Sequence, residues 1–164
     1  MNNNSDLIRT SEVILDSWCA EASFEELIKI FLPVLSDNQT NNDWDKDQAC
    51  AFIESILLGI PISSIYIAIL NEKRYIIDGY QRIKTVFDYI NGVHPNDDTE
   101  FNLSCSNNNE LTNKSYKALD EYLKLRLKTA TITITIVRLK EEKKLLELAK
   151  RINPQKGLRM KYYV

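Results

Sequence analysis

Asp78, Gln81 and Arg82 fall within one short stretch, Lys73–Gly92, which reads KRYIIDGYQRIKTVFDYING. Tyr75, Ile76 and Ile77 favour a strand, and Asp78-Gly79 is a strong turn signal. Beyond the turn, Ile83, Val86, Phe87 and Ile90 recur at i, i+3, i+4 and i+7, which makes one apolar helix face. Asn91-Gly92 then supplies a helix stop. The spacing therefore places Gln81 and Arg82 in the first turn of a helix. Unpaired backbone N–H groups and the positive end of the helix dipole point the same way there. Gly79 lets a ligand approach the backbone, and Arg82 adds a planar fork of donors suited to phosphate. The chemistry is that of an anion site for a nucleotide phosphate or a DNA backbone. The same residues also fit a plain structural reading, with Asp78 as a helix cap and Arg82 as a surface cation.

The elements that must position this turn are legible in part. Met1–Thr10 reads as a tail, and Glu12–Cys19 as either a strand or a helix. Ser23 and Glu26 form a capping-box pair. Phe24, Leu27, Ile28 and Phe31 then predict a short amphipathic helix ending before Pro33, with a short strand at 33–36. Asp37–Asp43 reads as a polar loop. Asp45 or Asp47 caps a helix whose face is Ala49, Phe52, Ile53, Ile56 and Leu57, stopped by Gly59 and Pro61. Ile65–Leu70 is an apolar strand joined to the next through Asn71-Glu72, in an antiparallel hairpin. His94–Asn113 is a polar excursion, with His94 read as a surface residue and a short strand expected at Phe101–Leu103. Tyr116, Leu119, Leu123 and Leu127 predict another helix, capped by Asn113 or Ser115. Thr129–Val137 alternates with period two, its Ile side facing a core and its Thr side partly covered. Glu141–Ile152 predicts a last helix, with Leu145, Leu148, Ala149 and Ile152 inside and a stop at Asn153-Pro154. Helices and strands mix without regular βαβ alternation, so the expected class is α+β.

At 164 residues the chain is long enough for one domain and its core. The expected division is a lead-in over 1–22 and a single domain over 23–164. The formal net charge is −2, which excludes a global bias towards polyanions. The distribution is uneven. From Arg138 onward nine Lys/Arg stand against three Glu, a balance of +6, which leaves −8 for Met1–Val137. This basic end reads as a polyanion-binding face or as a solvated helix. Cys19, Cys50 and Cys105 are three and far apart in sequence. They lack zinc-site spacing, and the set is what a reducing cytosol favours. No signal sequence stands out, and no apolar run approaches the ~18–20 residues that span a bilayer, so a cytoplasmic location is expected. Asp43, Asp45, Asp47 and Glu54 mimic part of a calcium loop, but Gln48 stands where that loop needs glycine. The helix also begins inside the would-be loop, so these acids read as helix caps and not as a calcium site.

Taken together, Trp44, AFIESILLGIPISSIYIAIL at Ala51–Leu70, IIDGYQRIKTVFDYING at Ile76–Gly92, and Arg151-Ile152-Asn153 resemble the domain-of-unknown-function family 262, the DGQQR-motif domain. That domain forms the N-terminal part of GmrSD-type modification-dependent restriction enzymes, and the resemblance covers roughly residues 24–158. It implies a ParB/sulfiredoxin-like fold, a small mixed sheet surrounded by helices. It further implies a bacterial phage-defence protein that binds a nucleoside triphosphate with Mg²⁺ and couples its hydrolysis to control of DNA cleavage. Carried over by position, Asp78, Gly79, Tyr80, Gln81, Arg82 and Asn153 would line the nucleotide site. Asp78 would orient Arg82 or hold a metal-bound water, Arg82 would meet phosphate, and the two would serve as catalytic groups. Glu54, in the helix block, joins Asp78 as a candidate metal ligand.

The chain departs from the family pattern at two places. Tyr80 stands where the motif has its middle glutamine, and Gln39-Thr40 replaces an upstream Gln-Arg pair. One charge-assisted phosphate contact is thereby lost, which weakens hydrolysis more than binding. No nuclease constellation occurs, so cleavage would fall to a separate nuclease subunit. The alternatives are a non-enzymatic module binding DNA or a partner protein, or a split subunit lacking its nuclease domain and the usual C-terminal extension.

Overall fold

The computed structural model describes residues 16–36, 44–94, 99–106, 108–154 and 162–163. Its scaffold is a mixed sheet with strand order β1-β4-β2-β3-β5. The strands are β1 (Asp16–Ser23), β2 (Ile65–Leu70), β3 (Lys73–Asp78), β4 (Thr131–Leu139) and the two-residue β5 (Tyr162–Tyr163). β4 lies between β1, to which it is antiparallel, and β2, to which it is parallel. The β2–β3 hairpin turns at Asn71 and Glu72, which adopt φ of 51° and 64°. Two consecutive positive φ values match the right-handed twist of the paired strands, so the hairpin keeps its tight form although neither residue is glycine. Of the ambiguous Glu12–Cys19 stretch, residues 16–19 fall in β1, and residues 1–15, the expected tail included, lie outside the described residues.

Alternation along β4 divides the molecule. Ile132 and Ile134 enter the larger core, where α1 (Phe24–Leu35), α2 (Lys46–Leu58), α3 (Tyr80–Asn91) and α4 (Glu121–Thr129) pack against the sheet. Phe24, Phe31, Ile53, Ile65, Ile83, Leu127 and Tyr89 are fully buried there. Val137 and Leu139, on the other parity, join Ala68, Leu70 and Leu145 in a smaller core beneath α5 (Glu142–Ile152). Thr131 and Thr133 remain exposed, as the alternation predicts. The class is α+β.

Local signals set most boundaries. Ser23 and Glu26 make the expected capping box on α1, and Asp45 with Gln48 makes another on α2. Gly59 closes α2 in the left-handed region, with Ile60 N–H donating to Ser55 O at 2.8 Å.

Several expectations fail for physical reasons. Helix α1 does not stop before Pro33 but runs through it to Leu35, so no strand forms at 33–36. Pro33 lies exposed in the last turn while Val34 and Leu35 are buried, and that burial outweighs one missing backbone donor. The expected helix from Tyr116 is two pieces. A 3₁₀ turn spans Tyr116–Ala118 after Ser115, and α4 restarts at Glu121 because Asp120 caps Leu123 N–H. β4 begins two residues later than its pattern implied. Among its described residues, the segment after α3 holds isolated bridges, Val93 with Glu100 and Asn102 with Ser115, and no strand at 101–103. His94 is not a surface residue. It is 3% exposed and packs edge-on to Phe101, 5.2 Å between ring centres. The loop expected over Asp37–Asp43, with Gln39 and Thr40, lies outside the described residues.

Helix α3 is buried on two flanks. Ile83 and Val86 lie fully inside the larger core, Phe87 and Ile90 only partly. Gln81, Lys84, Thr85 and Asp88, spaced as a second stripe, are also buried. Lys84 pairs with Asp88 along this stripe. Burial pushes the Asp88 carboxyl up to about 6, outweighing the lowering by the Lys84 hydrogen bond and charge. Because the folded value lies above the unfolded one, protonated Asp88 favours the fold. That contribution is full below about pH 4 and is lost as pH rises through 6. Asp88→Asn removes this dependence. Urea unfolding at pH 4 and pH 7 is therefore expected to show wild type losing ground to Asp88→Asn at the higher pH.

Candidate functional site

β3 hands the chain to α3 through Gly79, which adopts φ 100° and serves as the N-cap. No side chain caps this helix. Asp78 is therefore not the cap that the structural reading made it, and the first backbone bonds run from Arg82 N–H and Ile83 N–H to Gly79 O. A β-carbon at Gly79 would stand 2.6 Å from Ile65 Cγ1 and 3.2 Å from Arg82 Nη1. The glycine thus makes room for Ile65 beneath the turn and for the guanidinium beside it.

Asp78 ties three elements together. Its Oδ2 accepts from Arg82 Nη1 at 3.1 Å, and its Oδ1 accepts from Asn153 Nδ2, at the end of α5, at 3.0 Å. Arg82 Nη1 also reaches Ser64 O, ahead of β2, at 3.4 Å. The Arg82 and Asp78 side chains are 19% and 28% exposed, so the pair lies at the rim, neither free nor sealed. Nη1 carries both of the hydrogen bonds that Arg82 makes among the described residues, so Nε and Nη2 remain unengaged there. Gln81, one residue earlier, is 9% exposed, and its Oε1 has no hydrogen-bond partner. Tyr80 is half-buried and packs against the larger core.

The structure thus gathers Asp78, Gly79, Arg82 and Asn153, residues 75 positions apart at the extremes. It does not gather Glu54. That carboxylate accepts from Ser106 Oγ at 2.6 Å, within α2's contact with the segment after α3. Asp45 is occupied as a helix cap, and Asp43 lies outside the described residues. Among the described residues no three His, Cys, Asp or Glu side chains form a group able to hold a metal ion. Of the basic end, Lys143, Lys150 and Arg151 are exposed on α5, Lys144 pairs with Glu147, and Arg138 lies over the Trp18 ring. Lys140 is exposed as well, and Lys156, Arg159 and Lys161 lie outside the described residues. No helix among the described residues is long and apolar enough to cross a membrane.

Sequence reasoning missed the buried stripe on α3 and the link between Cys50 and Cys105, which form a disulfide. The signal for the stripe was present: Gln81, Lys84, Thr85 and Asp88 repeat at the same spacing as the apolar face. Polar types hid it.

A strand that turns on an uncapped glycine into a helix, with a carboxylate, a guanidinium and an amide joined at the turn, defines a motif-bearing α+β domain. The chain belongs to the family of GmrSD restriction endonuclease N-terminal domains, whose profile matches residues 24–161. No curated protein and no solved structure matches the chain. Membership makes this a restriction-related, phage-defence type of domain.

Two measurements check the turn. Gly79→Ala is expected to destabilise by roughly 2–4 kcal/mol, from positive φ and the clash with Ile65, read by urea unfolding. A double-mutant cycle of Asp78→Asn and Arg82→Gln is expected to give a coupling of about 1 kcal/mol or less, because the pair is partly solvated.

Proposed function

We propose that this chain is the nucleotide-sensing module of a restriction system. In this reading it binds a nucleoside triphosphate with Mg²⁺ at the first turn of α3 and thereby controls a nuclease. The observation that carries the reading is the Asp78–Arg82–Asn153 network at an uncapped helix start, with Arg82 held by Nη1 alone. A guanidinium fixed at one nitrogen presents its remaining N–H groups with little further loss of side-chain freedom. The positive end of α3 adds to its attraction for phosphate. Gln81 Oε1, buried and without a partner, is an acceptor in the same helical turn that a ligand hydroxyl or amine would satisfy.

The residues fit Mg²⁺ only in a subsidiary way. Both Asp78 oxygens already accept hydrogen bonds, and among the described residues Asp78 belongs to no group of three His, Cys, Asp or Glu side chains able to hold a metal ion. A magnesium ion here would depend chiefly on phosphate oxygens and water, with Asp78 as its one protein contact, which is ordinary for this ion. The ParB/sulfiredoxin-like architecture belongs to the same proposal. The mixed sheet and its strand-to-helix turn are compatible with it.

The test is a thermal-shift screen of the four ribonucleoside triphosphates with Mg²⁺. At least one is expected to raise the midpoint of the wild type. Arg82→Ala is expected to retain the fold and lose at least tenfold in affinity, the effect of one charge-assisted contact of about 1.5–3 kcal/mol. No shift with any triphosphate would remove the reading.

A partner-binding role has its own observation. Tyr122 and Leu125, 67% and 61% exposed, stand on α4, and Leu58 and Ile60 are exposed at the end of α2. Arg126 joins the two sets, bonding Tyr122 Oη at 3.2 Å and lying against Gly59. This patch borders a groove of about 430 Å³ floored by Ile56, Pro61 and Ile132. Exposed Tyr and Arg around aliphatic side chains form the usual centre of a protein interface. Leu125→Ser with Tyr122→Ser is expected to release a co-expressed nuclease subunit while leaving any nucleotide-induced thermal shift unchanged.

A further inference from the structure

Cys50 lies on the inner side of α2 and is 1% exposed. Cys105 lies in the segment between α3 and α4 and is only half-buried. Their sulfurs are bonded, with α-carbons 6.2 Å apart, within the range that a disulfide spans without moving the backbone. The ring so closed runs over 55 positions and contains β2, β3 and α3. Cys19, the other free thiol candidate, is exposed on β1 and stands apart.

We propose that Cys50 and Cys105 are a redox modification site, a reversible clasp worked by small thiols and disulfides of the glutathione type. Two features carry this. First, the two sulfurs differ in access: a thiol in solution can reach Cys105, whereas Cys50 is sealed. Second, the clasped segment has its own anchors. Phe101, Leu103 and Leu111 are buried in the larger core, Tyr89 Oη donates to Lys114 O at 3.0 Å, and Ser106 Oγ donates to Glu54. The fold therefore has enough packing to survive loss of the bond, and the two thiols would remain adjacent for re-formation. A buried Cys50 thiol is at home among apolar neighbours.

The chemistry balances as thiol–disulfide exchange. A glutathione thiolate attacks the Cys105 sulfur, the bond to Cys50 breaks, and the Cys50 sulfur leaves as thiolate and takes up the proton. A second glutathione attacks the mixed disulfide at its own glutathione sulfur, freeing the Cys105 thiol and releasing glutathione disulfide. Oxidation is the reverse, with glutathione disulfide as the oxidant that is reduced. The site acts on α3 because the clasped segment packs on it: Phe101 meets the Tyr89 ring edge-on at 5.1 Å. The clasp thus braces the far end of the helix whose near end carries Asp78 and Arg82.

The test uses the full chain equilibrated over a series of reduced-to-oxidised glutathione ratios. Free thiols are alkylated under denaturing conditions and counted by intact mass. One alkylated site is expected at the oxidising end and three at the reducing end, with a midpoint between. The thermal midpoint is expected to fall by roughly 5–15 °C on reduction, the size that a ring of this length gives in a chain of this size. Cleavage by protease between Thr99 and Leu119 should rise severalfold. Cys105→Ser should match the reduced protein in midpoint and cleavage at every ratio, and Cys19→Ser should show the wild-type transition in both, with no alkylated site at the oxidising end and two at the reducing end. Three alkylated sites at every ratio, or one at every ratio including excess dithiothreitol, overturns the proposal. So does a thiol transition without any change in midpoint or cleavage.

Discussion

The turn at Gly79 is the constraint on which the arrangement depends. A left-handed residue lets β3 become α3 without an intervening loop, and it leaves just enough space for Ile65 of the neighbouring strand to close underneath. Any side chain there would meet both a backbone penalty and a steric one. With the turn fixed, Asp78 at the strand's last position and Arg82 one helical turn on must face each other. The pair then reaches Ser64 ahead of β2 and Asn153 at the end of α5. Strand, motif helix and terminal helix are joined at one carboxylate.

How much of this could be read in the sequence depended on whether a signal was local. Capping boxes at Ser23 and Asp45, the stop at Gly59, both hairpin strands and the stop at Gly92 rest on neighbouring residues, and they stand where expected. The closeness of Asp78 and Arg82 was legible too, since a strand that turns at once into a helix brings its last residue beside the residue four positions on. Three features were not legible, because long-range contacts decide them. Pro33 is a helix breaker by type, yet buried Val34 and Leu35 carry α1 past it. His94 sits in a polar stretch, yet Phe101 covers it. Cys50 and Cys105 are remote in sequence, and only the path of the α3–α4 connection across α2 brings them together.

The polar flank of α3 belongs to the same lesson. A helix that buries Ile83 and Val86 on one side usually gives its other side to water. Here Gln81, Lys84, Thr85 and Asp88 are enclosed as well. Their enclosure is costly: Lys84 and Asp88 must pair, and one oxygen of Asp88 and one of Gln81 still lack partners. Burial of this kind adds little to stability; the Lys84–Asp88 pair lies within α3 itself, and the rotation of the helix is set by its two buried flanks, which a turn about the axis would move out of their places. A helix whose first turn carries the motif gains from being held in one rotation about its axis.

In the proposed reading, the same carboxylate would set how a bound anion and the fold interact. Asp78 holds Arg82 through one oxygen and Asn153 through the other, so its charge is shared between the motif helix and α5. An anion drawn to the unengaged side of Arg82 adds a second negative group to the guanidinium and weakens its hold on Asp78. Asp78 then depends more on Asn153. An anion that takes Nη1 instead must displace Asp78 outright and free it from the motif helix. In either case the packing of α5 on β3 and β4 would be linked to occupancy at Arg82, because both draw on one carboxylate. The coupling needs no motion of the larger core, whose packing around Ile65, Ile83 and Ile134 lies on the opposite side of the sheet from α5. In the proposed reading, occupancy at the turn would report through α5 while the bulk of the domain stays fixed.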